Sequence, residues 1–143
     1  MGPSPGPLTP GRSCTSDLEE AEAWLASARY LMDVPPLSRA RFTVAIAQAI
    51  HSIIRGNDAL TVRFLRRRST RHEDAVVLFR DLVKSRGIPS EYAGFRTLLA
   101  RALREKSEYD YKGTDAGAND ARRWVRESEK FLDAVRKILA ANE

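Results

Sequence analysis

The chain of 143 residues has few of the residues that build metal and disulfide sites, with one cysteine and two histidines. Cys14 cannot form an internal disulfide, and no Cys/His cluster has zinc-ligand spacing. No apolar run is long enough to span a bilayer, and no apolar segment of a secretory signal begins the chain. We therefore expect a cytoplasmic protein with no membrane association, no metal and no other cofactor.

Several enzyme signatures are also missing. The chain has no glycine-rich phosphate loop before a helix, no nucleophile elbow and no His-Glu-x-x-His zinc motif. What it does have is positive charge, because 24 Lys and Arg residues outnumber 19 Asp and Glu residues to give a net charge of +5. Most of these cations are arginines, whose guanidinium groups bind phosphate in a bidentate way. The composition therefore favours an anionic partner such as nucleic acid.

The pattern of apolar residues predicts one all-α domain. Residues 1–15 hold four of the seven prolines and three glycines, which is typical of a disordered tail. Over residues 16–143 the apolar side chains recur with helical spacing, and no segment alternates like a strand. The short links between the helices favour a four- to five-helix up-and-down bundle. Its helices are predicted over residues 16–32, 38–66, 70–87, 90–106 and 120–140.

Local signals set these boundaries. Two capping boxes, Ser16-x-x-Glu19 and Thr70-x-x-Glu73, predict the starts of the first and third helices. Gly56-Asn57 could end or loosen the second helix, but Leu60, Phe64 and Leu65 favour a helix that resumes or continues to about Arg66. The stretch from Tyr109 to Asn119 is expected to be a loop. The residues predicted to face the core include Trp24 and Trp124, and on the third helix Val76, Val77, Phe79, Leu82 and Val83.

The densest positive charge lies in residues 63–72, where five of ten residues are arginine and the last is His72. One interpretation is a solvated helix end, since cations are favourable near a helix C-terminus. The other is a site for RNA. Metal-free cleavage of a phosphodiester needs a group that moves a proton, as histidine can near neutral pH, and a fixed cation for the transition state. Arg66 and Arg67 lie six and five residues before His72, so a turn would bring either arginine close to it.

Three other residues are candidates for a supporting role. His51, flanked by isoleucines, is either a core histidine or part of the site, and Asp58 lies two helical turns further on the same face. Asp58 or its neighbour Asn57 could orient a basic side chain or cap a helix break. Tyr109 could pack the following loop onto the bundle or stack on a base.

From about Asp17 to Ala141 the chain resembles the HEPN superfamily of small all-helical domains, and particularly actinobacterial HEPN-like proteins. Three features carry the likeness. They are residues 45–60 (AIAQAIHSIIRGNDAL) followed by residues 67–75 (RRSTRHEDA), the pair Leu98-Leu99 with Lys106-x-x-Tyr109, and the final amphipathic helix.

The resemblance implies a helical bundle, usually dimeric, and in active members a metal-independent endoribonuclease. The family's signature is an arginine and a histidine with four to six residues between them, which Arg66 also fits with five. Arg67 and His72 fit this spacing, although Arg68 stands where Asn, Asp or His is commoner. The implied roles are proton transfer by His72, phosphate contact by Arg67, and RNA binding by Arg63, Arg66, Arg68 and Arg71.

Two functions therefore remain open on the sequence. One is an RNA endonuclease of toxin or defence type, acting as a homodimer. The other is a noncatalytic HEPN-like module that binds RNA, nucleotide or a protein partner such as an antitoxin. A purely structural helical dimer is the remaining alternative.

Overall fold

The computed structural model describes residues 13–34, 39–111 and 117–143, and for residues 72, 73 and 107–111 it describes the backbone only. These ranges are all-helical and contain no strand, which confirms the all-α prediction. No helix within them is both long enough and apolar enough to cross a membrane. The elements in chain order are α1 (Cys14–Asp33), α2 (Ala40–Leu65), α3 (His72–Leu82), a 3-10 helix (Ser90–Phe95), α4 (Arg96–Tyr111) and α5 (Ala118–Ala141).

Both predicted capping boxes are wrong in detail. The first helix begins at Cys14, because the Ser13 hydroxyl caps it by accepting a hydrogen bond from the backbone N–H of Ser16. Of the predicted tail, residues 13–15 therefore belong to the start of α1, and residues 1–12 lie outside the described residues. The third helix begins at His72, after an extended Arg71, and the Thr70 hydroxyl donates to the Asp74 carboxylate.

The ends of the later helices also differ from the prediction. The third helix stops at Leu82, five residues before Gly87, which adopts a left-handed conformation with φ of 97° in the turn that follows. The fourth helix runs through Tyr111, so Tyr109 belongs to α4 and not to a loop. Helical hydrogen bonding therefore continues past the polar residues that suggested a break.

Helix α2 lies at the centre of the fold and packs against all four other helices. It continues unbroken through Gly56-Asn57, where the sequence left a break open, and every residue from Gly56 to Val62 is buried. A helix that is covered on all sides must find partners for its polar groups. Asn57 finds one in the Tyr92 hydroxyl, which donates to its Oδ1 at 2.7 Å. Burial also raises the pKa of Tyr92 well above its ordinary value, so this hydroxyl keeps its proton.

The face that α3 turns to the core differs from the predicted one. The buried residues are Ala75, Leu78, Phe79 and Leu82, which follow the i, i+3, i+4, i+7 spacing of one helix face. Val76 and Val77, predicted to be core residues, are 48% and 44% exposed. The prediction failed because α3 is apolar on more than one face, and only packing decides which face is covered. Trp124 is buried as predicted, whereas Trp24 is only half-buried.

We predict that Gly56 is required for the close approach of α5 to α2. A Cβ atom at this position would lie 2.6 Å from Leu132 Cδ2 and 3.3 Å from Phe131 Cε2, both in the core. Gly56→Val should therefore lower the free energy of unfolding by about 1–3 kcal/mol through overpacking. Gly94→Val is the matched control, because nothing lies within 4 Å of a Cβ there. Equal free energies of unfolding for the two variants in urea denaturation would contradict the close packing of α5 on Gly56.

Candidate nucleic-acid interface

Helix α2 ends within the arginine-rich residues 63–72, called the arginine tract, at a left-handed residue. Arg66 has φ of 57° and ψ of 34°, a conformation that non-glycine residues seldom adopt. Its backbone N–H donates to the Val62 carbonyl, and the N–H of Arg67 donates to the Thr61 carbonyl. These bonds close the helix end and turn the chain sharply. The loop between α2 and α3, residues 66–71, is called the arginine loop below.

An ion pair anchors the arginine loop to α1. Arg68 Nη2 lies 2.6 Å from Asp17 Oδ2, and the Asp17 side chain is completely buried while that of Arg68 is 16% exposed. Charges this far from water are stable only when they are paired. Arg68 is therefore committed to the fold, and its guanidinium points inward, away from any ligand on the surface.

A second anchor joins the same loop to α2. The Ser69 hydroxyl donates to Asp58 Oδ1 at 3.2 Å, and Arg55 Nη1 donates to Asp58 Oδ2 at the same distance. Arg55 in turn forms an ion pair of 2.8 Å with Glu20 of α1. Asp58 therefore orients the Arg55 side chain, which is one of the two roles predicted for it. The other role, capping a helix break, does not apply because α2 is continuous here. Two consecutive loop residues are thus held by carboxylates of two different helices.

The environment of Asp58 makes it a weaker acid than an ordinary aspartate. Burial raises its pKa from the ordinary 3.8 to about 6, and the nearby Asp17 charge acts in the same direction. The Arg55 and Arg68 charges and the Ser69 hydrogen bond oppose this rise. Because desolvation is the largest effect, the carboxyl group changes its protonation near neutral pH.

Beside the second anchor lies a cleft of about 250 Å³ between α2, the arginine loop and α4. Its floor includes Asp58, and its wall includes His51, whose ring stacks on Trp24 with centroids 4.9 Å apart. The cations at its edge are Arg71, which is largely exposed, and Lys106. The complete lining is His51, Ile54, Arg55, Asp58, Ser69, Thr70, Arg71, Leu103 and Lys106. The cations at this edge suit a phosphate ester, whereas the Ser69 and Thr70 hydroxyls already donate to Asp58 and Asp74.

The predicted site residues fall into four groups. Arg66, Arg67 and Arg71 are exposed on the arginine loop, and His51 and Asp58 line the adjacent cleft. Arg63 lies one turn earlier on α2, where its Nη2 donates to the Asn142 carbonyl at 2.7 Å, and Arg68 is held by Asp17. The side chains of His72 and Tyr109 lie outside the described residues, so the meeting of Arg67 with His72 stays a prediction.

Four residues of the cleft went unrecognised as site residues in the sequence. Arg55 could have been found, because it lies four residues after His51 and three before Asp58 and so shares their face of α2. Ser69 and Thr70 lie among the arginines, and the pattern at Thr70 predicted a helix cap and not a binding residue. Lys106 comes from α4, far away in sequence, and no local signal links it to the loop.

No group of three or more His, Cys, Asp or Glu residues suited to hold a metal ion occurs in the part of the chain that the structure describes. No protein-family model matches the chain, and neither does any of the curated proteins searched.

We predict that the Asp17–Arg68 pair is a main support of the arginine loop. Asp17→Ala would leave the Arg68 guanidinium without its counter-ion, and should lower the free energy of unfolding by about 3–5 kcal/mol. The matched control is Arg29→Ala, which breaks the exposed 2.6 Å pair with Glu129 and should cost about 1 kcal/mol or less. Urea denaturation of both variants measures the difference. Equal losses would mean that the buried pair does not support the loop.

A second prediction concerns pH. Between about pH 4 and 6 the folded state keeps the Asp58 proton that the unfolded chain has lost, so this contribution to stability falls as pH rises. The difference between pKa 3.8 and about 6 corresponds to about 3 kcal/mol. We expect the stability of the wild type, relative to Asp58→Asn, to fall by up to that amount between about pH 4 and pH 7 in urea denaturation. A relative stability independent of pH would contradict the raised pKa.

Proposed function

We propose that this protein is a HEPN-type domain that binds RNA through the arginine loop and cleaves it without a metal ion. The observation that carries the proposal is the anchoring of the loop. Arg68 and Ser69 are tied inward, while Arg66, Arg67 and Arg71 remain exposed, and Arg71 lies at the edge of the cleft. Cations held on a fixed loop lose less conformational entropy on binding phosphate than cations on a mobile one.

The chemistry of the proposal rests on Arg67 and His72. His72 is the first residue of α3, and the four loop residues from Arg68 to Arg71 separate it from Arg67. In the proposed reaction, the His72 imidazole takes the proton of the attacking 2′-hydroxyl or gives one to the leaving 5′-oxygen. The guanidinium of Arg67, or that of Arg66, balances the charge that develops on the phosphate.

The adjacent cleft supports RNA over an isolated phosphate as the ligand. It offers Arg71 and Lys106 for a neighbouring phosphate. The Ser69 and Thr70 hydroxyls donate to Asp58 and Asp74, so their oxygens can only accept, for example from a ribose hydroxyl or a base N–H. His51, backed by Trp24, supplies a ring beside these groups. In the proposed homodimer, two such loops would line one groove and contact a longer stretch of RNA.

The proposal is tested with a fluorescent single-stranded RNA of mixed sequence in the presence of EDTA. His72→Ala should slow cleavage by about 100-fold or more, the usual contribution of a general acid or base, while binding persists. Arg67→Ala should weaken both cleavage and binding, and should reduce the slope of log K against log salt by about 0.7 for each lost phosphate contact. Gel analysis and fluorescence anisotropy provide the two measurements.

Arg123→Ala is the control, because this arginine is exposed on α5 and pairs with Asp120 at 3.5 Å. It should leave cleavage and binding unchanged. Binding of RNA by the wild type without cleavage would identify the noncatalytic module instead. The proposal as a whole fails if the wild type neither binds nor cleaves, or if Arg123→Ala weakens binding as much as Arg67→Ala does.

A further inference from the structure

Helix α3 carries a second apolar face that the core does not use. Val76, Arg80 and Val83 follow the i, i+4, i+7 spacing of one helix face, and Val77 lies beside them. Val76 and Val77 are two of the four large hydrophobic residues that are exposed in the described part of the chain, and they are adjacent. These adjacent valines form a small contiguous apolar patch, unlike the single exposed hydrophobic residues that are common on protein surfaces.

This face forms one wall of a groove of about 520 Å³ whose other wall lies at the junction of the 3-10 helix and α4. On that second wall Ala93, Arg96 and Ala100 follow the i, i+3, i+7 spacing of one face, with Leu99 at the base. Each wall therefore has an arginine between apolar residues. Each wall spans eight residues, from first to last about two helical turns or 10 Å. The length suits an elongated segment of a partner.

The charges of the groove decide which segment fits. The lining residues include Arg80 and Arg96 and no carboxylate. Arg80 makes only a long contact of 3.9 Å with Asp81, in which both side chains are exposed, and no described residue pairs with Arg96. A second copy of the chain bound symmetrically would bring four guanidinium groups into one apolar interface, which opposes association.

We propose that this groove, called the α3–α4 groove, binds an amphipathic helical segment of a protein partner that carries acidic residues between its apolar ones. The apolar side chains of the segment pack on Val76, Val77 and Val83, and its carboxylates pair with Arg80 and Arg96. The proposal is independent of RNA binding, because the groove shares no residue with the arginine loop or with the cleft beside it.

The test uses a labelled 18-residue helical peptide with leucines at i, i+3, i+4 and i+7 spacing and glutamates flanking them. A matched peptide has lysine in place of every glutamate. In fluorescence anisotropy with the wild type, the acidic peptide should bind at least about tenfold more tightly than the basic one, a difference of about 1.4 kcal/mol. Arg80→Glu combined with Arg96→Glu should reverse this preference. Equal binding of the two peptides would overturn the proposal.

The apolar contribution is tested with Val77→Asp, which should weaken the acidic peptide by at least about tenfold. Val44→Asp is the matched control, since Val44 on α2 is 45% exposed and lies outside the groove. It should leave the affinity unchanged, and circular dichroism checks that both variants remain folded. Two results would overturn the proposal. One is equal weakening by the two variants, and the other is a wild-type dimer, seen by sedimentation, that Val77→Asp dissociates.

Discussion

The candidate site depends on the ion pair between Arg68 and Asp17. A buried carboxylate on α1 requires a cation, and the cation that it receives comes from the middle of the arginine loop. Because the guanidinium has to reach the interior, the loop backbone is drawn against the helices. The neighbouring arginines then cannot follow the same path, and they point to the surface. The buried Arg68–Asp17 pair thus determines that the other arginines of the loop lie on the surface.

Asp58 extends this arrangement from α1 to α2. It holds Ser69 through one oxygen and Arg55 through the other, while Arg55 also binds Glu20. The network therefore ties two helices and the loop together beneath the cleft. Its weak point is the cost of burying two carboxylates near each other, which helps raise the pKa of Asp58 to about 6. The same group supports the loop and lines the cleft, so its protonation links stability with the electrostatics of the site.

Helix α3 connects the two surfaces proposed to bind partners. Its N-terminus follows the arginine loop, and its exposed face lines the α3–α4 groove. The groove begins at Val76, four residues or about 6 Å along the helix from His72. A short helix that is apolar on two faces is not explained by the core alone, since the core uses only the face of Ala75, Leu78, Phe79 and Leu82. The exposed residues Val76 and Val77 are explained if the α3–α4 groove binds a partner.

The sequence by itself determined the helical class and the presence of a turn between the second and third helices within the arginine-rich residues 63–72. These follow from local spacing and from signals within a few residues. Only the tertiary structure decided which face of α3 is buried, that Arg68 is internal while Arg67 is exposed, and that Lys106 lies beside the loop. Three adjacent arginines are chemically identical, so the choice among them depends on a carboxylate 51 residues away, which no local pattern reveals.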